Sequence, residues 1–230
     1  HARQRGIQVI GDVPFYVAHD SADVWSHRHL FSAAADGSLS QQSGVPPDYF
    51  SATGQLWGTP VYRWPLHRLT RFRWWLRRLE RQLSLVDLLR LDHFRALEAA
   101  WCVPGGDHTA ERGCWRPSPG GSLLRRLSRR YRGQHLRLIA EDLGVITPAV
   151  EELRDRYGLP GMKILQFAFD GDLENSYLPA NYQGCNWCVY TGTHDNDTVR
   201  GWWGTASAHE RHFAAQYLHT DGDHVHWAMI

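Results

Sequence analysis

Five short apolar runs, each finishing on acidic or polar residues, constrain this chain more than any other feature. Residues 6–13 (Gly-Ile-Gln-Val-Ile-Gly-Asp-Val) carry Asp12 at their end, and residues 85–91 run into Asp92. Residues 136–140 run into Glu141 and Asp142, residues 162–169 into Asp170, and residues 187–191 into Thr193, His194 and Asp195. Apolar stretches of this length, bounded by polar residues, read as buried strands.

Helical patterns lie between them. Leu69, Phe72, Leu76, Leu79 and Leu83 recur at three- and four-residue steps, which predicts one amphipathic helix with arginines on its outer face. Leu123, Leu124 and Leu127 begin a second helix. Thr147-Pro148 opens a third as N-cap and first-turn proline, and residues 207–218 form a fourth. Strands alternating with helices imply parallel βαβ units, and near-continuous apolar strands imply a sheet covered on both faces. Polar residues gathered at the carboxyl ends of several strands suit a (β/α)8 barrel. A doubly wound sheet also binds at that edge, but it normally brings a Gly-x-Gly phosphate loop, and the sequence has none. The predicted class is therefore α/β, a (β/α)8 TIM barrel. Five strand candidates against the eight that close a barrel make it an incomplete one.

Two stretches break the rhythm. Residues 26–65 lack a long periodic pattern and are read as an inserted loop region over the active site, since long loops inside compact domains are usually functional. Residues 103–121, rich in Pro and Gly, are read as a surface excursion.

The 230 residues are 43% hydrophobic and 21% charged, which fits a folded globular protein. A net charge of +1 gives no electrostatic reason to expect nucleic acid or an anionic membrane as partner. No apolar run approaches the roughly 20 residues of a membrane-spanning helix, and no signal peptide is apparent. Four cysteines (Cys102, Cys114, Cys185, Cys188) are too few for a disulfide scaffold at this length. Cys185-x-x-Cys188 could hold zinc only if the widely spaced Cys102 and Cys114 joined it, so free thiols in a cytoplasmic protein are the favoured reading. The chain opens at His1 instead of Met, and an internal fragment is expected.

Asp92, Glu141 and Asp195 each end a separate strand candidate. Cleaving a glycosidic bond needs one carboxylate to protonate the leaving oxygen and another to attack or to activate water. Each acid taken alone could equally cap a helix or pair with an arginine. Strand geometry places Arg90 on the same side as Asp92, where a guanidinium holds a carboxylate ionised and oriented. Glu141 follows a wholly apolar run and could be kept protonated by burial. His194 and Asp195 put a donor beside an acceptor. Aromatic residues make up 12%, with eleven Trp. Tyr49, Phe50, Trp57, Phe15, Tyr16 and Trp25 are candidate stacking platforms for sugar faces, whereas Trp74, Trp75, Trp101, Trp115, Trp202 and Trp203 are assigned to packing or the rim.

Five blocks, residues 11–25 (Gly-Asp-Val-Pro-Phe-Tyr-Val-Ala-His-Asp-Ser-Ala-Asp-Val-Trp), 44–58 (Gly-Val-Pro-Pro-Asp-Tyr-Phe-Ser-Ala-Thr-Gly-Gln-Leu-Trp-Gly), 90–95 (Arg-Leu-Asp-His-Phe-Arg), 140–144 (Ala-Glu-Asp-Leu-Gly) and 190–198 (Tyr-Thr-Gly-Thr-His-Asp-Asn-Asp-Thr), resemble the amylomaltase, or disproportionating-enzyme, family of glycoside hydrolases (family 77). The resemblance runs almost end to end, in the family's order. It implies a 4-α-glucanotransferase in which Asp92 is the nucleophile, Glu141 the general acid/base and Asp195 the transition-state stabiliser. It also implies Arg90 and His194 as active-site supports, and Asp12, Gln55 and Trp57 as sugar contacts. Tyr49 and Phe50 would lie in an overhanging loop, and Asp170 would be a further acceptor-side contact. Maltooligosaccharides and α-1,4-glucans are the implied partners, with no metal or organic cofactor. Family members are about twice as long, and the five strands correspond to their third to seventh. An α-glucan hydrolase with the same carboxylates, and an inactive glycan-binding fragment, remain alternatives at this point. Thr59 and Ala96 stand where Asn and Gly are common in the family.

Overall fold

The computed structural model of the chain describes residues 1–48, 51–132 and 135–230. It divides into two compact units, His1–Leu159 and Pro160–Ile230. The architecture is α/β with both parallel and antiparallel sheets. Among the described residues, no helix is long and apolar enough to cross a membrane.

The first unit contains, in order, β1 (Ile10–Val13), α1 (Ala22–His27), β2 (Gln41–Val45), β3 (Gln55–Pro60), α2 (Trp64–Leu69) and α3 (Arg73–Leu83). These are followed by β4 (Leu88–Leu91), β5 (Ala99–Pro104), β6 (Cys114–Pro117), α4 (Gly120–Arg130), β7 (Leu138–Ala140) and α5 (Pro148–Arg156). β1, β4 and β7 form a parallel sheet in that order, with Val13 opposite Leu91 and Leu91 opposite Ala140. The residues that follow each strand therefore emerge side by side. Asp92 N–H donates to the Val13 carbonyl (3.0 Å) and Glu141 N–H to the Leu91 carbonyl (3.1 Å), which extends the register one step beyond the strands.

The second unit contains β8 (Gly161–Ile164) and β9 (Trp187–Tyr190), paired in parallel, then α6 (Val199–Thr205), α7 (Ala208–Leu218) and α8 (Val225–Ala228). α7 begins with a full capping box, in which Ser207 and Glu210 satisfy each other's backbone N–H. Leu165, Ala168, Phe169, Leu178, Ala214, Val225 and Met229 make its core. The five apolar runs of the sequence thus coincide with the five parallel strands.

Two expectations need correction. The helix predicted across Leu69–Leu83 is broken, because Arg71 and Phe72 adopt left-handed backbone (φ 55° and 59°) between α2 and α3. With the break, Leu69 is left in solvent at the end of α2, while Phe72, Trp74 and Trp75 at the start of α3 are buried in the core. The second concerns residues 26–65 and 103–121, which are not structureless. They supply most of an antiparallel sheet of order β3-β2-β5-β6. Its strand β2 reads Gln-Gln-Ser-Gly-Val, and its polar groups are buried only because they are bonded. Gln42 Nε2 donates to the carbonyls of Pro104 (3.1 Å) and Asp107 (2.9 Å), and Ser43 bonds Thr59.

The first unit's core is aromatic. Phe15, Phe31, Tyr62, Trp74 and Trp75 pack mainly edge to face or tilted, with neighbouring centroids 5.1–5.8 Å apart. Of the arginines on α3, Arg73, Arg77 and Arg81 are solvated, as expected. Arg78 instead lies 5.3 Å from both the Trp74 and Trp75 rings and donates to the Phe15 carbonyl. His67 sits fully buried beside this cluster. Its Nε2–H donates to the Leu30 carbonyl (3.2 Å), and Nδ1 has no partner among the described residues. Burial pulls the imidazole down to about 4, because protonating Nδ1 would strand a charge among rings.

A histidine that folds neutral binds its proton more readily when unfolded, so its contribution to stability is complete above the unfolded value near 6.5 and shrinks as pH falls toward 4. Replacing His67 with Phe should cost stability at pH 7.5 through the lost bond to Leu30. The deficit should narrow by roughly 2–3 kcal/mol by pH 4. Urea unfolding of both chains at the two pH values measures this, and parallel pH profiles would refute it.

Candidate active site

The ends of β1, β4 and β7 bring four of the expected residues together. Arg90 lies directly opposite Asp12 in the register, and Asp92 follows two residues later on the same side. Arg90 Nη1 reaches Asp12 Oδ1 at 2.8 Å and Oδ2 at 3.0 Å, and Asp92 Oδ1 at 2.9 Å. Its side chain is 11% exposed, against 44% for Asp12 and 38% for Asp92. A mostly buried cation thus holds two half-exposed carboxylates at the rim of the sheet. The two carboxylates and Glu141 hold Arg90 above the usual guanidinium value although burial opposes them.

Glu141 is buried, and both of its carboxylate oxygens are bonded. Oε2 accepts from the His93 backbone N–H at 2.6 Å and Oε1 from the Leu143 N–H at 2.9 Å. Phe94 N–H donates in turn to the Glu141 carbonyl (3.0 Å). The Glu141 carboxyl is raised to about 7, by burial first and then by the Asp92 charge. The two backbone donors and Arg90 pull the other way. The neighbouring Asp142 is occupied differently, in a buried ion pair with Arg154 (2.5 Å) that ties β7 to α5.

The sequence reading missed His93 as a site residue. Its backbone is left-handed (φ 51°), and that turn presents its N–H to Glu141. Its imidazole meets Trp57 edge to face at 4.8 Å and Tyr16 at 6.0 Å. Burial, and then the Arg95 charge, pull the imidazole down to about 4, so it is neutral near pH 7. His93 Nε2 and the Tyr16 hydroxyl are both buried without a partner among the described residues. Position next to Asp92 was the one available signal, since nothing in a sequence announces a left-handed histidine.

Trp57 and Gln55 project from β3, and Trp57 Nε1–H donates to Gln55 Oε1 (3.2 Å). Trp57 is 37% exposed, which leaves part of its ring open to solvent. The other proposed platforms behave differently. Phe15 and Tyr16 are buried in the core, and Trp25 stands out in solvent on α1. Tyr49 and Phe50 lie outside the described residues. Trp74 and Trp75 are core residues, as expected.

In the second unit, His194 and Asp195 stand on the turn that follows β9, both well exposed, with His194 Nε2 3.5 Å from Asp195 Oδ2. The turn is organised by Asn196, whose Oδ1 accepts from Thr193 N–H (2.9 Å), and by Gln166, which donates to the Asp197 carbonyl (2.9 Å). Asp170 follows β8. Its carboxylate accepts from Asp172 N–H (3.0 Å) and Asn175 Nδ2 (2.9 Å).

Comparison with known proteins adds an independent line. A family model described as 4-alpha-glucanotransferase matches residues 1–230. The 4-alpha-glucanotransferase of Synechocystis sp. is 49% identical over 232 residues, covering 100% of this chain and 46% of that protein. That of Thermus thermophilus is 49% identical over 236 residues, covering 100% and 47%. The structure of amylomaltase from Streptococcus agalactiae in complex with acarbose superposes with a TM-score of 0.90 at 39% identity, over 95% of this chain and 44% of that one. The chain spans about half the length of the curated relatives it matches. With all 230 residues inside the family's pattern and a solved member superposing on nearly all of them, the chain belongs to the 4-alpha-glucanotransferase family, glycoside hydrolase family 77.

Proposed function

We propose that this chain carries the catalytic centre of a retaining 4-α-glucanotransferase, which passes an α-1,4-glucan segment to the 4-hydroxyl of another glucan or of glucose. The observation that carries the reading is the pairing at adjacent strand ends of an Arg90-held Asp92 with a buried, high-pKa Glu141. A nucleophile must be ionised and a general acid protonated at the same pH, and two neighbouring carboxyls in unlike surroundings meet that demand.

In the first step Asp92 attacks the anomeric carbon while Glu141 gives its proton to the departing O4, leaving a glycosyl-enzyme. In the second, Glu141 takes a proton from the incoming 4-hydroxyl, which attacks and restores the α-1,4 bond. Retention requires the two carboxyls to lie about 5–5.5 Å apart. A carboxyl at about 7 is suited to both steps, since it gives and takes a proton at little cost near neutrality. Asp195, with His194 beside it, is assigned to the sugar's ring hydroxyls as the ring flattens. Asp12, Gln55, Trp57 and Asp170 are assigned to donor and acceptor sugars, and Tyr49 and Phe50 to the overhanging loop.

We further read the fold as strands 3 to 7 of a (β/α)8 barrel, with residues 26–65 inserted over the site. In support, five parallel strands carry the acids, and Trp57 of the insertion touches His93, next to Asp92. The 44–60 stretch would then keep water from the glycosyl-enzyme, which transfer requires. Maltooligosaccharides and α-1,4-glucans are the proposed substrates, with no metal, organic cofactor or nucleic acid involved. A cytoplasmic setting suits the four free cysteines.

Incubation with maltotriose should give glucose plus a ladder of longer maltooligosaccharides, and Asp92→Asn should abolish both. The assay should be run on the chain, and on a chimera in which it replaces the matching half of the Synechocystis relative. Glucose and maltose without longer products would indicate a hydrolase, and a silent chimera would overturn the reading.

Glu141→Gln should also remove transfer, and its effect on stability varies with pH in the sense opposite to that of His67→Phe. A carboxyl raised from 4.5 to about 7 costs the folded state nothing below 4.5, and up to roughly 3 kcal/mol once pH has passed through 7. Glutamine has one acceptor oxygen for the two backbone donors, which costs the variant a bond at every pH, but it does not titrate. Its stability relative to the parent should therefore rise by roughly 1–3 kcal/mol between pH 5 and pH 8. Urea unfolding of both chains at the two pH values decides; a difference that does not change with pH would contradict the assignment of a raised carboxyl.

A further inference from the structure

The antiparallel sheet places two cysteines directly across from one another. In the β5–β6 register, Ala99 faces Pro117, Trp101 faces Trp115 and Cys102 faces Cys114. Both thiols are free, with Cys102 buried and Cys114 exposed. Side chains of opposed residues lie on the same face of a sheet, so the two sulfurs share one side of the hairpin while Trp101 and Trp115 meet edge to face on the other, 5.2 Å between centroids. We propose that Cys102 and Cys114 form a reversible cross-strand disulfide, making this hairpin a redox-sensitive site driven by small-molecule disulfides of the oxidised-glutathione class.

The backbone pattern says what kind of disulfide it is. Ser118 N–H donates to the Glu98 carbonyl at 2.7 Å, one step beyond the Ala99–Pro117 pair. Alternation then puts Ala100–Arg116 and Cys102–Cys114 at hydrogen-bonded positions. Opposed Cα atoms there lie about 5.5 Å apart, inside the roughly 4.4–6.8 Å range that disulfides span. Their Cβ atoms, at about 5–5.5 Å, stand wider than the roughly 3.8 Å of a relaxed bond. Closing it must draw the strands together locally. Strand β6 can give, because it is four residues long and is the sheet's edge strand. A bond made this way is strained, and strained, partly exposed disulfides are the readily reduced ones.

The order of events follows from exposure. The Cys114 thiolate attacks one sulfur of the small disulfide, whose S–S bond breaks and releases one thiol. Cys102 then attacks the Cys114 sulfur of the mixed disulfide and expels the second thiol. Two protein thiols are oxidised, one small disulfide is reduced to two thiols, and both protein protons leave on them. Cys102 is the slower partner, since burial pushes its thiol up to about 11 and its S–H donates to the Ala100 carbonyl. The strand that moves carries Trp115, whose ring lies 3.5 Å from the Arg95 guanidinium carbon, three residues after Asp92.

The test equilibrates the chain in buffers of rising oxidised-to-reduced glutathione ratio, traps free thiols by alkylation and maps peptides by mass spectrometry. A Cys102–Cys114 crosslinked peptide should grow with the ratio, vanish on return to reduced buffer and persist in a Cys185→Ser/Cys188→Ser chain. Cys114→Ser, at an exposed position, should eliminate it. Cys102→Ala should instead leave glutathione attached to Cys114. The proposal fails if both cysteines stay alkylatable across the series, or if Cys114 in the parent chain stops at the glutathione adduct. It also fails if either cysteine pairs only with Cys185 or Cys188.

Discussion

A guanidinium that is only 11% exposed must be paired to stay within a folded chain, and Arg90 meets this with two carboxylates on a single nitrogen. The pairing is a product of register. Parallel strands β1 and β4 set Asp12 opposite Arg90, and the two-residue strand period returns Asp92 to the same side. A slip of one residue would turn Asp12 to the other face of the sheet and leave the buried charge one partner short. The ion cluster is thus a constraint on the sheet as much as a feature of the site. It holds two acids close together across one cation.

That cluster makes the state of Glu141 intelligible. The glutamate leaves the neighbouring strand one step beyond Leu91 and faces a site where Asp92 already carries charge. Two backbone N–H groups and Arg90 stabilise its ionised form, while burial and Asp92 oppose it more strongly. The outcome near 7 is a balance of large opposed effects, and it depends on the left-handed turn at His93 that delivers one of the two donors. The same turn sets the imidazole against Trp57 and Tyr16. Acid–base tuning and the aromatic wall are consequently two consequences of one backbone conformation.

What could be read from the residues divides along physical lines. The parallel strands were legible because apolar runs such as 85–91 and 136–140 mark burial on both faces, and their terminal acids followed without further information. Arg90 beside Asp92 was legible from strand period alone. Strand β2 was not, because Gln42 and Ser43 are buried by virtue of partners at Pro104, Asp107 and Thr59 that no local pattern reveals. The break at Arg71–Phe72 was hidden for a similar reason. The helical spacing of Leu69, Phe72 and Leu76 is real, but the left-handed pair Arg71–Phe72 leaves Leu69 exposed while Phe72 and Trp75 are buried, and no local pattern announces it. Phe15 and Tyr16 show the limit of composition, since an aromatic that suits a sugar face also suits a core, and here the core holds them.

The antiparallel sheet explains how so polar a strand can stand next to the chemistry. Strand β2 is the hinge of the arrangement, since it pairs with β3 on one side, whose Trp57 reaches His93, and with β5 on the other. Strand β5 begins eight residues after Leu91, so its position is fixed by the strand that carries Arg90. Residues 26–65 are therefore fastened to the parallel sheet in two ways: apolar side chains before and after the polar strand, Phe31 and Tyr62 among them, sit in the core, while β2 itself is held by hydrogen bonds. The hydrogen bonds of β2 fix geometry closely while contributing modestly to stability, because each replaces one that water would have made; the buried side chains on either side contribute the larger share. A strand whose polar side chains are buried cannot be held by apolar contact along its own length, and the bonds of Gln42 and Ser43 to Pro104, Asp107 and Thr59 hold it instead.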